Sequence, residues 1–322
     1  MKIRILSARD VAAAVDMPAA IEIMRGAFAA LSAGDADVPI RLGIESAHGV
    51  HLFMPAHVRT TGDTGVKVVT VSPENRARGL PAIHAVVLVL DAETGRPVAL
   101  MDGTHLTALR TGAAGGLAAD LLARRDASVV ALFGAGVQAR AQLEAVRCVR
   151  PVREVRIVSR GGASAARLAS ELTGVEARAV DDPGEALRGA HVVITATDSA
   201  RPVFPGGAVE EGAHVTAVGS YTPLMREVDT ELVLRARVFV DQRAAALEEA
   251  GDLAGPIADG AVTEEVVVAE LGEVASGAHA GRTSDAEITY FKSVGNAVQD
   301  VAVAARILEV AERRGLGATF DL

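Results

Sequence analysis

The stretch that decides the fold runs from residue 129 to residue 160 and reads VVALFGAGVQARAQLEAVRCVRPVREVRIVSR. An apolar run of strand length leads into GAGVQA (134–139), and a second β-branched run follows about one helix later. In a G-x-G-x-x-A turn the first glycine allows the tight turn, the second lets a pyrophosphate approach, and the small third residue lets the helix pack on the strand. The helix N-terminus adds unpaired N–H groups and a positive dipole end. We therefore predict a dinucleotide site that includes Gly134, Gly136, Val137 and Gln138.

The choice of dinucleotide depends on the residues that end the second strand. An acid about 20 residues beyond the motif would bind the ribose 2′-OH of NAD. Ser159 and Arg160 stand there instead, and Glu154 belongs to the start of the strand. A hydroxyl and a guanidinium suit a 2′-phosphate. We predict that NADP(H) is preferred over NAD(H), with a solvated loop role for Arg160 as the alternative.

Composition is that of an ordinary enzyme with two cores. The chain has 322 residues, of which 50% are hydrophobic, and a net charge of −9 without a basic patch, which argues against nucleic acid as a partner. The single cysteine, Cys148, is expected in a reducing compartment as a small buried residue. No apolar run is long enough for a signal peptide or a membrane span, and no side chains have metal-ligand spacing. We expect a cytoplasmic protein without a metal.

The order of elements predicts an α/β protein with two domains. Residues 1–115 are predicted to form a mixed α+β domain, with helices that open at Ser7 and Asp16 and an antiparallel meander of strands near 38–45, 50–54, 65–72, 82–90 and 97–101. Residues 116–293 are predicted to form a Rossmann-type, doubly wound parallel sheet. Its strands are expected near 129–133, 155–158, 176–180, 191–196, 214–218, 238–241 and 287–292. An amphipathic helix at 294–314 is predicted to return to the first domain, so that residues 294–322 complete it.

Three cations interrupt apolar runs of the first domain: Arg41 in PIRLGI, Lys67 in GVKVVTV and Arg110 in HLTALRTGAAGG. Buried cations are costly unless paired, so the three indicate an anionic ligand such as a carboxylate. The alternative is that they lie at strand edges and reach water. Thr111 and the run 112–116 are predicted to begin a helix whose backbone lies close to the cofactor phosphates.

A set of motifs from about residue 100 to residue 300 resembles the ornithine cyclodeaminase/μ-crystallin family, which includes archaeal-type alanine dehydrogenase and ketimine reductase. The motifs are MDGTHLTALRTGAAGGLAA, FGAGVQA, ITATDS, GSYTP and FKSVGNAVQD. The resemblance implies a homodimer joined through the first domain, with NAD(P) held between the domains. It also implies that the substrate carboxylate is bound by Arg41, Lys67 and Arg110, and that Lys67 lies near the reacting carbon. Cofactor contacts are implied for Thr111, Gly136, Val137, Ser159, Arg160, Thr197 and Ser293.

One position departs from the cyclodeaminase pattern. Cyclodeaminases and the alanine dehydrogenase carry an Asp in a G-x-D-x-P motif, whereas this chain has Gly219-Ser-Tyr221-Thr-Pro. Tyr221 is a poor general base near neutral pH. The ketimine reductases also lack the Asp, so the departure favours reduction of an imine. Tyr221 is a candidate catalytic residue, with packing at the mouth of the cleft as the equal alternative.

These observations predict an NAD(P)H-dependent oxidoreductase that acts on the C=N or CH–NH centre of a small α-imino or α-amino acid, either an imine reductase or an alanine dehydrogenase-like enzyme. The alternatives are an ornithine cyclodeaminase and a non-catalytic NADPH-binding protein of the μ-crystallin kind. His51 and His84 are further candidates for a proton donor, although a lone strand histidine is more often structural. Asp300 is expected to cap or pair locally.

Overall fold

The computed structural model describes residues 2–322. The strands, in chain order, are β1 (Lys2–Leu6), β2 (Ala36–Asp37), β3 (Leu42–Ser46), β4 (Gly49–Val58), β5 (Thr64–Val71), β6 (Ile83–Leu90), β7 (Pro97–Asp102), β8 (Val129–Phe133), β9 (Glu154–Val158), β10 (Glu176–Ala179), β11 (Val192–Thr195), β12 (His214–Ala217), β13 (Arg237–Val240), β14 (Val267–Glu270), β15 (Thr289–Lys292) and β16 (Ala318–Asp321). The helices are α1 (Ala8–Ala14), α2 (Met17–Ser32), α3 (Gly103–Leu122), α4 (Val137–Val149), α5 (Ala163–Glu171), α6 (Pro183–Leu187), α7 (Thr230–Arg235), α8 (Arg243–Glu249), α9 (Gly251–Ala258), α10 (Leu271–Ala275) and α11 (Ala297–Arg314).

The chain divides into two compact units. Unit 1 consists of the residues up to Arg110 together with Asn296–Leu322, and unit 2 consists of Thr111–Gly295. The boundaries fall a few residues from those drawn from the sequence, 115/116 and 293/294, because helix α3 continues through the first one and α11 begins only at Ala297.

Unit 1 is built on one mixed sheet with the order β16-β1-β7-β6-β5-β4-β2, and β3 pairs with β4. Strands β4 to β7 form the predicted antiparallel meander, and β1 joins it in parallel to β7. Alternate residues of β5 and β6 are buried on one face of this sheet, and helices α2 and α11 pack on that face. Two predicted helix starts are confirmed, since Ser7 forms a capping box with Asp10 and Asp16 caps α2.

Unit 2 is an eight-stranded parallel sheet with the order β10-β9-β8-β11-β12-β15-β13-β14, as the doubly wound prediction requires. Its central strands β8, β11 and β12 are buried along almost their whole length, which is typical of a parallel sheet that helices cover on both faces. The order reverses between β8 and β11, and ligands of such folds bind beyond the carboxyl ends of the strands at this point. Among residues 2–322, no helix is long and apolar enough to cross a membrane.

Candidate functional site

The glycine-rich turn after β8 has the predicted geometry. Gly134 adopts φ = 108°, and a Cβ there would lie 2.5 Å from the carbonyl oxygen of Ala196. Gly136 is the N-cap of α4, where no side chain caps the helix and a Cβ would meet nothing within 4 Å. The first amides of α4 are therefore left for a ligand, and backbone approach to Gly136 is open. These residues fit the pyrophosphate of a dinucleotide.

The small residues of α3 pack closely against α4. Thr111 and residues 112–116 lie in the middle of a helix that begins at Gly103, so the prediction that they start it is wrong. A Cβ on Gly112 would lie 2.6 Å from the carbonyl oxygen of Ala141, and one on Gly115 would lie 1.8 Å from Oε1 of Gln142. The Gln142 amide donates to the Thr111 carbonyl at 2.6 Å. The glycines allow α3 and α4 to approach closely, and no phosphate is needed to explain them.

Ser159 and Arg160, the two residues that were expected to contact the ribose 2′-phosphate, directly follow β9. Ser159 Oγ accepts a hydrogen bond from the Ala165 amide at 3.0 Å. The Arg160 side chain is 88% exposed and lies 3.6 Å from a carboxylate oxygen of Asp198, which follows β11. As the sequence indicates, no acid directly follows β9, but Asp198 comes close to this strand end from the loop after β11, which lies two strands away in the sheet.

Two buried carboxylates hold the loops at the ends of other central strands, and sequence reasoning missed both. Glu227 accepts hydrogen bonds from Thr197 and from the Gly219 amide. Asp241 Oδ2 accepts from the Ser293 hydroxyl at 2.7 Å and from the amides of Val294 and Gly295. An acid directly after the apolar strand RVFV was a signal for Asp241, whereas Glu227 lies eight residues beyond Gly219 and gave none.

Tyr221, the residue at the expected acid position, is half-buried. Its ring packs against a small apolar cluster formed by Ala245, Ala250 and Val294.

Cys148 is exposed on α4, so the expectation that it is buried is wrong.

Unit 1 contains a buried cluster of charges. Lys67 is 1% exposed and Arg110 is 5% exposed. Lys67 Nζ lies 2.7 Å from Oδ2 of Asp300, and Arg110 Nε donates to Oδ1 of the same carboxylate at 3.0 Å. Arg110 also donates to the side-chain oxygen of Gln299. The expectation that Asp300 caps or pairs locally is therefore wrong, because its partners lie 190 or more residues away in the chain.

This cluster has more positive than negative charge, because two cations share one carboxylate. Burial and the neighbouring Arg110 lower the pKa of Lys67 to about 7, against the opposing effect of Asp300. Arg41 also adds positive potential at Lys67. Arg41 is half-buried and precedes β3, so the prediction that it stands inside a strand is wrong. Two cations and one carboxylate therefore leave a net positive charge at Lys67 and Arg110.

The two candidate histidines do not lie with this cluster. His51 and His84 are both paired in register with Thr70, whereas Lys67 is paired with Met54 and Val87. Because Thr70 is three residues from Lys67 in the same strand, its side chain and those of its partners point to the opposite face of the sheet. His51 Nδ1 is bonded to the Thr70 hydroxyl at 2.9 Å, and His84 is exposed. Neither histidine is positioned to deliver a proton to a ligand held by Lys67.

Comparison with known proteins decides the family. The model of the ornithine cyclodeaminase/mu-crystallin family matches residues 1–315. The chain belongs to this family. Δ1-pyrroline-2-carboxylate reductase of Bacillus cereus is 38% identical over 319 residues, which cover 97% of this chain and 98% of that relative.

Two solved structures of the same family are closely similar. Δ1-pyrroline-2-carboxylate reductase of Thermococcus litoralis, in complex with NADH and L-proline, matches with a TM-score of 0.95 and 38% identity over 98% of this chain and 99% of that one. An archaeal alanine dehydrogenase dimer with bound NAD matches with a TM-score of 0.95 and 37% identity over the whole of both chains. The family and the Rossmann-type fold implied by the sequence motifs are confirmed.

Proposed function

We propose that the protein is an NAD(P)H-dependent reductase of a small α-imino acid, with a cyclic imine such as Δ1-pyrroline-2-carboxylate as the first candidate substrate. The observation that carries this proposal is the buried cluster of Lys67, Arg110 and Asp300. Lys67 and Arg110 share the single carboxylate of Asp300, so a second carboxylate would balance their remaining positive charge. An imino acid substrate carries such a carboxylate. Relatives named as reductases of such a compound support the choice of substrate.

Each unit supplies its own part of the reaction. The nicotinamide, when bound, supplies the hydride that converts the imine carbon to an amine-bearing carbon. In unit 2, Gly134, Gly136, Val137, Gln138 and the N-terminus of α4 hold the pyrophosphate, and Thr111, Thr197 and Ser293 are proposed as further cofactor contacts. In unit 1, Lys67 and Arg110 orient the substrate carboxylate, and Arg41 adds positive potential. Orientation is most of what a preformed, electrophilic imine needs.

Lys67 is also proposed as a catalytic residue. With a pKa of about 7 the ammonium group is able to give up a proton near neutral pH, unlike an ordinary lysine. It is buried beside the proposed carboxylate site, so it would lie near the reacting carbon. A proton source is required because reduction of a neutral imine adds one hydride and one proton.

Preference for NADP(H) over NAD(H) is proposed on the exposed guanidinium of Arg160 and the hydroxyl groups of Ser159 and Ser164 at the end of β9. These donors suit a 2′-phosphate. Asp198, at 3.6 Å from Arg160, works against the preference by occupying the guanidinium. NAD(H) is the alternative cofactor, and the similar structures contain NADH or NAD.

Reductive amination of a 2-oxo acid, the reverse of an alanine dehydrogenase reaction, is the second candidate, because the archaeal alanine dehydrogenase matches over the whole chain. Cyclodeamination is disfavoured, since Tyr221 stands where that reaction needs an acid/base carboxyl group and packs against apolar side chains. A proton-transfer role for the Tyr221 hydroxyl remains part of the proposal for imine reduction.

A homodimer is proposed through the sheet of unit 1. Its face opposite to α2 and α11 carries apolar side chains in paired positions, and three of them are exposed to an unusual degree: Leu42 (61%), Ile44 (51%) and Val86 (43%). Exposed apolar patches on a sheet face mark interaction surfaces. A second copy of this chain is the proposed occupant, in line with the dimeric alanine dehydrogenase.

The deciding experiment follows oxidation of the cofactor by the loss of absorbance of the reduced nicotinamide. The protein is given NADPH or NADH with Δ1-pyrroline-2-carboxylate, with its six-membered homologue, or with pyruvate and ammonia. Rapid oxidation with a cyclic imine supports the first proposal, and oxidation only with pyruvate and ammonia supports the second. Tight cofactor binding without turnover on any substrate would instead indicate a non-catalytic binding protein.

A further inference from the structure

We propose that Glu227 is a positioning residue for the nicotinamide cofactor, because it fixes the spacing of the loops that follow β11 and β12. This inference rests on the proposed function, which takes Thr197 as a cofactor contact and Tyr221 as a neighbour of the reaction. Glu227 itself is fully buried and is placed behind these loops. Its effect on the cofactor would therefore be transmitted through Thr197 and Gly219.

The contacts are specific to a carboxylate. Glu227 Oε1 accepts from the Thr197 amide at 2.7 Å and from the Thr197 hydroxyl at 2.8 Å, while Oε2 accepts from the Gly219 amide at 2.6 Å. All three partners are donors, so both oxygens of the side chain must be acceptors. An amide side chain of the same shape would turn an NH2 group towards one of these donors.

The two loops approach each other closely at this point. A Cβ on Gly219 would lie 2.1 Å from the carbonyl oxygen of Thr197 and 2.5 Å from Glu227 Oε1. Only glycine fits at position 219, and Glu227 bridges the two backbones at this short spacing. Since Thr197 and Gly219 each stand two residues after the end of adjacent parallel strands, the bridge lies at the edge of the sheet where ligands of this fold bind.

Glu227 is itself held from behind by a second buried carboxylate. Asp252 Oδ1 accepts from the amides of Glu227 and Val228 at 2.6 and 3.1 Å, and Asp252 Oδ2 lies 2.9 Å from Nζ of Lys292. Lys292 is the last residue of β15 and directly precedes Ser293. The network therefore connects the loops after β11, β12 and β15, and each of them carries a proposed cofactor or catalytic residue.

The ionised state of Glu227 follows from its surroundings. The charged and titratable groups that face it are Lys292 and Tyr290 of β15 and Asp252 of α9. Burial raises the pKa of Glu227, and Asp252 acts in the same direction, while Lys292 and the Thr197 hydrogen bonds oppose this rise. Protonation would place an O–H donor against an N–H donor. As the pH falls through this raised pKa, the loops should lose their fixed spacing and the cofactor should bind more weakly.

The experiment compares Glu227→Gln with Glu287→Gln in the otherwise unmodified chain. Glu287 is a matched control, because it too accepts from the amide and the hydroxyl of one threonine, Thr283, at 2.8 and 2.5 Å. It precedes β15 and so lies at the opposite edge of the same sheet. Two readouts are used: the Kd of NADPH and NADH by nicotinamide fluorescence, across a pH series, and hydrogen exchange of residues 195–199 and 219–223 in the cofactor-free protein.

Glu227→Gln should weaken cofactor binding by about tenfold, the loss expected when a charge-assisted hydrogen bond at a binding site is disrupted. It should also speed exchange in both loops and remove the loss of affinity at low pH. Glu287→Gln should leave all three unchanged. If Glu227→Gln does not fold, Glu227→Asp takes its place, because the shorter acid keeps the charge but cannot reach both loops.

Two failures are distinguishable. Equal effects of Glu227→Gln and Glu287→Gln on Kd and on exchange in the two loops would overturn the positioning role, even if the unmodified protein reduces imines. Absence of cofactor binding in the unmodified protein would overturn the proposed function, whatever the exchange data show for Thr197 and Gly219.

Discussion

Lys67 Nζ lies 2.7 Å from Asp300 Oδ2, and both side chains are almost completely buried. The carboxylate is shared, since its other oxygen accepts from Arg110. Asp300 thus fixes the direction of both cations and favours the charged form of the lysine. It does this without cancelling the positive charge that an anionic substrate would meet.

Replacement of Asp300 should alter substrate binding and its pH dependence. Asp300 raises the pKa of Lys67, so Asp300→Asn should lower that pKa below about 7 and shift the loss of the ammonium group to lower pH. The KM for the imino acid should rise and should begin to rise at a lower pH than in the unmodified enzyme, while the cofactor Kd stays constant. Steady-state kinetics across a pH series measures this. Glu309→Gln, an exposed acid on the same helix, is the control. An unchanged pH profile in Asp300→Asn would contradict the role given to this residue.

Removal of Lys67 should affect kcat as well as KM. Lys67→Met keeps most of the buried volume but removes the ammonium group, so both orientation and proton supply are lost. If Lys67 acts only as a binding group, KM rises and kcat is unchanged. A rise in KM together with a fall in kcat would support the proposed catalytic role. Because one partner of a buried ion pair is removed, we also expect a loss of up to about 3 kcal/mol in the free energy of unfolding, measured by urea denaturation.

Arg160 should discriminate between the two cofactors. Arg160→Ala removes a charge-assisted contact to a 2′-phosphate, which is worth roughly 1.5–3 kcal/mol, and should leave NADH affinity nearly unchanged. Asp198→Asn is the complementary change, because it releases the Arg160 guanidinium and should strengthen NADPH binding. Fluorescence titration with each cofactor measures both effects. Equal affinities for NADPH and NADH in the unmodified protein would contradict the proposed preference.

Tyr221 should separate imine reduction from deamination. The unmodified protein should reduce a cyclic imine far faster than it forms proline from L-ornithine with catalytic NAD(P)+, since an ordinary phenol, with a pKa of about 10, is a poor base at neutral pH. Tyr221→Asp restores a carboxyl group and should introduce weak ammonia release while it retains cofactor binding. Proline and ammonia assays test this, with Tyr221→Phe as the control for lost packing. Rapid turnover of ornithine by the unmodified protein would count against both assignments.

Replacement by alanine should have opposite effects at two helix glycines, because Gly115 lies at the close contact of α3 with α4 and Gly26 has open space around it. Gly115→Ala places a Cβ within 1.8 Å of Gln142 Oε1, so we expect a loss of about 1–3 kcal/mol in the free energy of unfolding. Gly26 lies inside α2 with nothing within 4 Å of a Cβ, and Gly26→Ala should stabilise the fold by about 0.5–1 kcal/mol. Thermal or urea unfolding of both variants measures the difference. A neutral Gly115→Ala would show that Gln142 moves aside easily.

Short-range patterns in the sequence were enough to predict the parallel sheet of unit 2 and its glycine-rich turn. The G-x-G-x-x-A motif fixes a local backbone geometry, and Gly134 adopts it. Strand β14 was missed although VVVAE is largely apolar. Only the short helices α8 and α9 separate it from β13, and the short helix α10 follows it directly. Strands β1 and β16 were also missed, since KIRIL and ATFD each form a strand only through pairing with a distant partner.

Residues of the site that depend on long-range contacts could not be placed from the sequence. The run that contains Lys67 indicates a buried cation, but its partner Asp300 lies in another part of the chain and has the spacing of an ordinary first-turn acid. Glu227 likewise reads as a solvated residue before Asp229, the N-cap of α7. The sequence left open whether His51 and His84 face the substrate, because the face of a strand is decided by register, and register was not available from the sequence alone.

The split composition of unit 1 has a consequence for the order in which the protein matures on the ribosome. Residues 111–295 form one compact unit, so it can fold while the rest of the chain is still being synthesised. The first 110 residues must wait, because helix α11 and strand β16 complete their sheet and core. Lys67 and Arg110 are synthesised before unit 2, but they receive the carboxylate of Asp300 only after all of unit 2 has been synthesised. The nascent nucleotide-binding half is thus ready before the half that is proposed to hold the substrate.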